Sequence, residues 1–142
     1  MGRWAANGTY VDNTVDVADI QSSGLVPTEE QAKYTPQDKI LNGVTVIAGG
    51  STNFTANAVY MDGFNTLGVG VLADASHSWV LNVLPSADGS TVIISPAFIT
   101  QTSTSTTKGG VGTCGLMFAV IQITNNDAAT RTYNAWARRM NL

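Results

Sequence analysis

From residue 44 to the end, apolar and β-branched residues come in short bursts separated by turn residues, and each burst predicts a strand. Val44-Thr-Val-Ile-Ala-Gly-Gly50 is a β-branched run closed by two glycines, and Asn53–Met61 is a weaker candidate ended by Asp62-Gly63. Thr66–Ala73 alternates cleanly, with Leu67, Val69, Val71 and Ala73 on one face and Gly68 and Gly70 on the other. Glycine weakens a strand, so two on one face predict close approach by another backbone or a bulky side chain. His77–Leu84 follows, with Trp79, Leu81 and Val83 in phase. Ser86–Thr91 reads as a hairpin turn in which Asp88-Gly89 suits positive φ. Thr91–Ser95 and Ala97–Gln101 read as strands divided by Pro96, and Thr102–Gly110 as an exposed, low-complexity polar loop. Gly115–Thr124 is a strong buried strand, which Asn125-Asn126-Asp127 turns back into Arg131–Met140. About eight strands with turn chemistry between them, and no long helical pattern separating them, predict an all-β antiparallel sandwich, jelly-roll-like, and exclude a parallel βαβ sheet.

Residues 1–43 differ in character. Their apolar residues are scattered, Pro27 and Pro36 interrupt them, and the one helix signal is Thr28 with Gln31 three residues later, a capping-box spacing that Pro36 ends. This segment reads as an extended arm with one short helix, followed by a sandwich domain over residues 44–142. Its candidate anchors are Trp4, Tyr10, Val15, Val17 and Ile20. An arm without a core of its own takes a fixed shape only against another surface.

Charge sharpens that division. Six acids and three bases fall in residues 1–43, against four of each in residues 44–142, so the whole net charge of −3 sits in the arm. With only 12% charged residues and a pI near 4.7, the chain is neither a helix-rich enzyme nor a basic nucleic-acid binder. Cys114 stands alone, so no internal disulfide forms. The first residues lack an apolar signal region, Ala6 stands where myristoylation wants Ser or Thr, and Gly115–Ile123 is too short to cross a bilayer. Two Asn-x-Thr sequences, at Asn7 and Asn53, are what chance supplies in so Asn- and Thr-rich a chain. The expectation is synthesis in a cytoplasm, with no membrane partner.

Candidate chemistry is sparse. His77 has Asp74, Ser76 and Ser78 beside it, but adjacent strand residues point to opposite faces, so it reads as a solvent-facing polar residue rather than part of a triad. Asp62, Asp74, Asp88 and Asp127 all fall in turns, where local hydrogen bonding favours Asp; a Ca²⁺ site among such turns stays open. Cys114 reads as a small packed residue, and Lys108–Gly115 as a mobile glycine-rich loop, because no Gly-Lys-Ser/Thr and no helix follow. No metal or cofactor is expected. Trp79 reads as core, whereas Trp136 shares a face with Thr132, Asn134 and Arg138 and reads as exposed. Arg131, Arg138 and Arg139 leave the last strand basic, complementary to an acidic arm from another subunit.

The runs Val44–Thr52, Met61–Val71, Trp79–Thr91 and Phe118–Asp127 resemble the β-sandwich proteins of tailed-bacteriophage virions, in the style of head decoration (cement) proteins and head-fibre base domains. The resemblance is one of pattern over about residues 44–140. It implies a non-enzymatic subunit on the outer surface of an icosahedral head, assembled in the host cytoplasm. Such a subunit is often trimeric, and its arm clasps the major capsid protein or a neighbouring copy. The alternative is a receptor- or carbohydrate-binding module of a phage fibre, with an aromatic platform at Trp136 and Tyr133; an enzyme ranks last.

Overall fold

The computed structural model describes residues 34–142. The arm anchors Trp4, Tyr10, Val15, Val17 and Ile20, and the helix expected after Thr28, lie outside the described residues. Among the described residues nine strands form: β1 (Asp38–Val46), β2 (Ser51–Asn53), β3 (Val59–Tyr60), β4 (Thr66–Ala73), β5 (Trp79–Ser86), β6 (Ile99–Ser103), β7 (Thr107–Thr113), β8 (Phe118–Asn125) and β9 (Arg131–Met140). One sheet has the order β1-β9-β4-β7; the other is β2-β8-β5-β6, with β3 pairing β8 alongside β2. Setting the two-residue β3 aside, β1 pairs β9, β2 pairs β8, β4 pairs β7 and β5 pairs β6, all antiparallel. These nested pairs are a single long hairpin rolled into two sheets, the connectivity of a jelly roll.

The period-two alternation dictates the core. Leu67, Val69, Val71 and Ala73 of β4 are all buried, as are Trp79, Leu81 and Val83 of β5 and Ala119, Ile121 and Ile123 of β8. Tyr133, Ala135 and Ala137 complete the inner face of β9. Full burial of each large apolar side chain contributes roughly 1.5–3 kcal/mol.

Five readings of the sequence are corrected. Residues 38–43, assigned to the arm, are the first part of β1; the alternation there is broken by register shifts around Leu41, and Gly43 has φ 65°, so only Leu41 marks the strand before Val44. Asn53–Met61 divides into the end of β2, a 3-10 turn at Thr55–Asn57 and β3. Thr91–Ser95 is not a strand: it makes one isolated bridge, Ser86 with Val92, before the cis Ser95–Pro96 bond. The polar segment 102–110 is not a loop but the corner where the chain passes from β6 in one sheet to β7 in the other, and Lys108–Thr113 are ordered strand. Glycine is required there: a Cβ on Gly110 would come within 2.8 Å of Ile99 Cγ2, and one on Gly112 would collide with the Phe98 carbonyl. Finally, His77 is buried rather than solvent-facing.

Candidate functional site

At one end of the sandwich, where β5 and β9 begin and β8 ends, buried polar groups close on each other. His77 Nδ1 donates to the Ala75 carbonyl at 2.7 Å, so in the neutral ring Nε2 accepts from the Tyr133 hydroxyl at 2.6 Å. The rings of His77, Trp79 and Tyr133 are tilted against one another with centroids 5.6–6.3 Å apart. Trp79 Nε1 donates to the Ser105 carbonyl. Burial, reinforced by the nearby negative charge of Asp74, raises the Tyr133 hydroxyl to about 12. Asn125, fully buried, donates to the carbonyls of Val46 and Ala129. Asp127 pairs with Arg131 at 2.6 Å, and that bond holds its carboxyl below the usual range. Each of these groups is satisfied locally, leaving nothing aimed outward. This end is a structural clasp.

The opposite end is built differently. Residues Tyr60, Phe118, Ser86 and Val92 lie in one row across β3, β8, β5 and the bridging segment. Next to it a pocket of about 440 Å³ is lined by Tyr60, Met61, Phe64, Cys114, Leu116 and Met117 among others. Met117 is 55% exposed, Tyr60 48% and Ile94, just past Val92, 60%. Cys114 is buried in the pocket wall, and that burial pushes its thiol pKa up, away from nucleophilic use. The neighbouring turn is rigid: Asp88 accepts from the backbone N–H of Thr91 and Ser90, which hold its carboxyl down to about 2. Gly89, with φ 81°, lies against the Phe118 ring.

A third surface lies on the outer face of the β1-β9-β4-β7 sheet. Lys39, Trp136, Gly70 and Gly109 stand in one row across all four strands. Trp136 is half-buried, and the Lys39 ammonium sits 5.3 Å from its ring centroid. Tyr133, the expected second member of an aromatic platform, is fully buried on the inner face and takes no part. Of the two glycines expected to mark close approach, Gly68 is approached by Met140 Cε, while the space above Gly70 is open.

The three C-terminal arginines do not form one patch. Arg131 is paired at the closed end; Arg139, eight residues along β9 and roughly 27 Å away, donates to the Tyr60 carbonyl and approaches Asp62 at the open end. Arg138 lies on the outer face with its guanidinium 4.0 Å from the Tyr34 ring centroid. Sequence reasoning missed Tyr34, Lys39, Tyr60, Leu116 and Met117. Leu116-Met117, two large apolar residues ahead of the β8 alternation, carried a usable signal; Lys39 carried none, since the bulges around Leu41 hide its register.

No protein-family model matches the chain, and no curated protein matches it significantly. Among solved structures, the PBSX exported protein XepA is similar in fold, with a TM-score of 0.58 at 5% identity, covering 99% of this chain and 44% of XepA. The chain thus spans less than half the length of that protein. A Bacillus endospore appendage subunit from disulfide-linked pili (TM-score 0.42, 13% identity, 85% and 100% covered) is a more distant likeness. So is a carbohydrate-binding module of Cellvibrio mixtus lichenase 5A in complex with cellotriose (TM-score 0.43, 13% identity, 81% and 94% covered). The likeness to XepA is one of fold alone; the β-sandwich class rests on the two antiparallel sheets. Among the described residues no helix is long and apolar enough to cross a membrane, and no three His, Cys, Asp or Glu side chains gather as a metal site would require.

Proposed function

We propose that this chain is a non-enzymatic structural protein of a virion, a decoration subunit that binds the outer surface of an icosahedral phage head and stabilises it. It self-associates, as a trimer, and its main partner is the major capsid protein. The observation that carries this reading is the open end of the sandwich. Tyr60, Leu116 and Met117 rim a largely apolar pocket, and Tyr60 and Met117 are about half exposed. A soluble monomer rarely exposes such a cluster, whereas an attachment face needs one. The jelly-roll connectivity is an architecture that viral capsid and lectin domains share. Symmetry on a shell multiplies weak contacts into stable attachment. The residues ahead of β1 serve in this reading as the clasp, with Trp4, Tyr10, Val15, Val17 and Ile20 inserted into the partner surface.

Cosedimentation of the purified chain with isolated heads tests it. Leu116→Asp together with Met117→Glu, or removal of residues 1–20, abolishes occupancy while thermal unfolding of the sandwich stays unchanged. Light scattering on the chain alone reads three times the monomer mass. Undiminished occupancy of the double variant overturns the reading.

A further inference from the structure

Attachment through the open end leaves the Trp136 surface without a role, although it is the most differentiated part of the sheet exterior. The indole is flanked by two depressions. One, of about 460 Å³, runs over Gly70, Leu72, Thr107, Lys108 and Gly109. The other, of about 400 Å³, runs over Gln37, Gly68, Gly110, Val111, Arg138 and Met140. Both are within the size range of small-ligand sites. Between them the floor is the bare backbone of Gly70, so Trp136 stands beside an open ledge: a Cβ on Gly70 would meet nothing within 4 Å, whereas Gly68 is covered by Met140 Cε.

Charge distinguishes this ledge from the rest of the domain. Residues 34–142 hold five acids (Asp38, Asp62, Asp74, Asp88, Asp127) and five bases (Lys39, Lys108, Arg131, Arg138, Arg139) and are neutral overall. Three of those bases, Lys39, Lys108 and Arg138, surround Trp136, and no carboxylate is among the described residues lining either depression. Arg138 carries an unmet donor. Its guanidinium is stacked over Tyr34, and its Nε–H is buried without a hydrogen-bond partner among the described residues. A buried donor without an acceptor is costly, and rotation toward an incoming anion relieves it. The planar guanidinium fork matches a planar carboxylate in bidentate fashion.

We propose that this ledge binds a carboxylate-bearing sugar ring, of the uronate or sialate type, as one unit of an acidic glycan. The ring's C–H face, slightly positive, lies against the negative π-face of Trp136 over the glycine floor. Its carboxylate takes the fork of Arg138, and Lys39 or Lys108 neutralises the neighbouring unit. The two depressions on either side of the indole let a chain continue past it.

The test is an array carrying uronate-, sialate- and sulfate-bearing glycans beside neutral ones, probed with the labelled full chain and followed by calorimetry on the best carboxylated hit. Carboxylated glycans are expected to bind above neutral ones, and to weaken as salt rises. Trp136→Ala and Arg138→Met each lower affinity about tenfold or more. Gly70→Val, whose side chain enters open space and leaves the fold intact, fills the ledge and abolishes binding. That variant keeps the test valid should Trp136→Ala unfold. An array blank for the folded chain overturns the proposal, as does a preference for neutral or sulfated glycans, or a Gly70→Val chain that binds like the parent. If Trp136→Ala loses head occupancy while the array stays blank, the ledge is a protein contact and the glycan proposal fails, with the decoration reading left standing.

Discussion

The two ends of the sandwich solve opposite problems with the same strands. At the closed end, β5, β8 and β9 bring His77, Trp79, Tyr133 and Asn125 together, and each buried polar atom described there finds a partner within the domain. At the open end the same strands terminate in Phe118, Ser86 and Met140, and the loops between them leave Tyr60, Leu116 and Met117 facing outward around a pocket. Buried polar groups cost stability unless paired, so the closed end is where substitutions damage folding. Exposed apolar groups contribute little to folding, so substitutions at the open end leave stability nearly unchanged. The contrast assigns stability to the closed end and leaves the open end free for the attachment proposed above.

The largest expected effect is at the closed end. Trp79→Ala removes the biggest fully buried side chain together with its bond to the Ser105 carbonyl, and is expected to cost about 3–5 kcal/mol in denaturant unfolding. Asn125→Ala comes next: it strands the carbonyls of Val46 and Ala129, for a loss of about 1–3 kcal/mol. A smaller effect comes with base. The Tyr133 hydroxyl is raised from an ordinary 10.0 to about 12 in the folded state. Folding therefore favours its protonated form; the contribution is complete below pH 10 and is lost as pH climbs through about 12. Tyr133→Phe removes that alkaline step from the stability profile. The Asp88 carboxyl, held down to about 2 by the Thr91 and Ser90 amides, behaves in the opposite sense. Its contribution is present above the ordinary 3.8 and disappears as pH falls toward 2, read as loss of the Ser86–Thr91 turn by NMR while the closed end stays folded. Smallest in stability is Met117→Ser at the open end, expected within about 0.5 kcal/mol of the parent. A large loss of stability from Met117→Ser, or a head-binding defect from Asn125→Ala at full folding, breaks the contrast between the ends.

Much of the fold is legible along the chain because a strand with one buried face must alternate, as β4 does from Leu67 and β9 from Tyr133, while β5 at Val83-Leu84 and β8 at Ala119–Ile121 bury consecutive residues. The misread segments are those where a local signal and a tertiary one conflict. Residues 102–113 are polar and glycine-rich, which locally means loop. Residues 102–103 and 107–113 are strand because β5 and β4 offer pairing edges and because glycines 110 and 112 leave room for Ile99 and Phe98. His77 looks solvent-facing beside Asp74, Ser76 and Ser78, yet Tyr133, 56 residues away, supplies the hydroxyl that makes its burial affordable.

The amino-acid order alone determined the class: most of the strands and turns, the inward faces of β4 and β5, and the concentration of acidic charge ahead of residue 44. These are properties of neighbours, set by period and turn chemistry. Only the tertiary structure decided which surfaces are available. The pairing of β9 with β1 and β4 sets Trp136 beside Gly70 and Lys39, turns Tyr133 inward, and sends Arg131, Arg138 and Arg139 in three directions. Sites of that kind join residues far apart in the chain, and cross-strand register, which is a long-range property, is what brings them together.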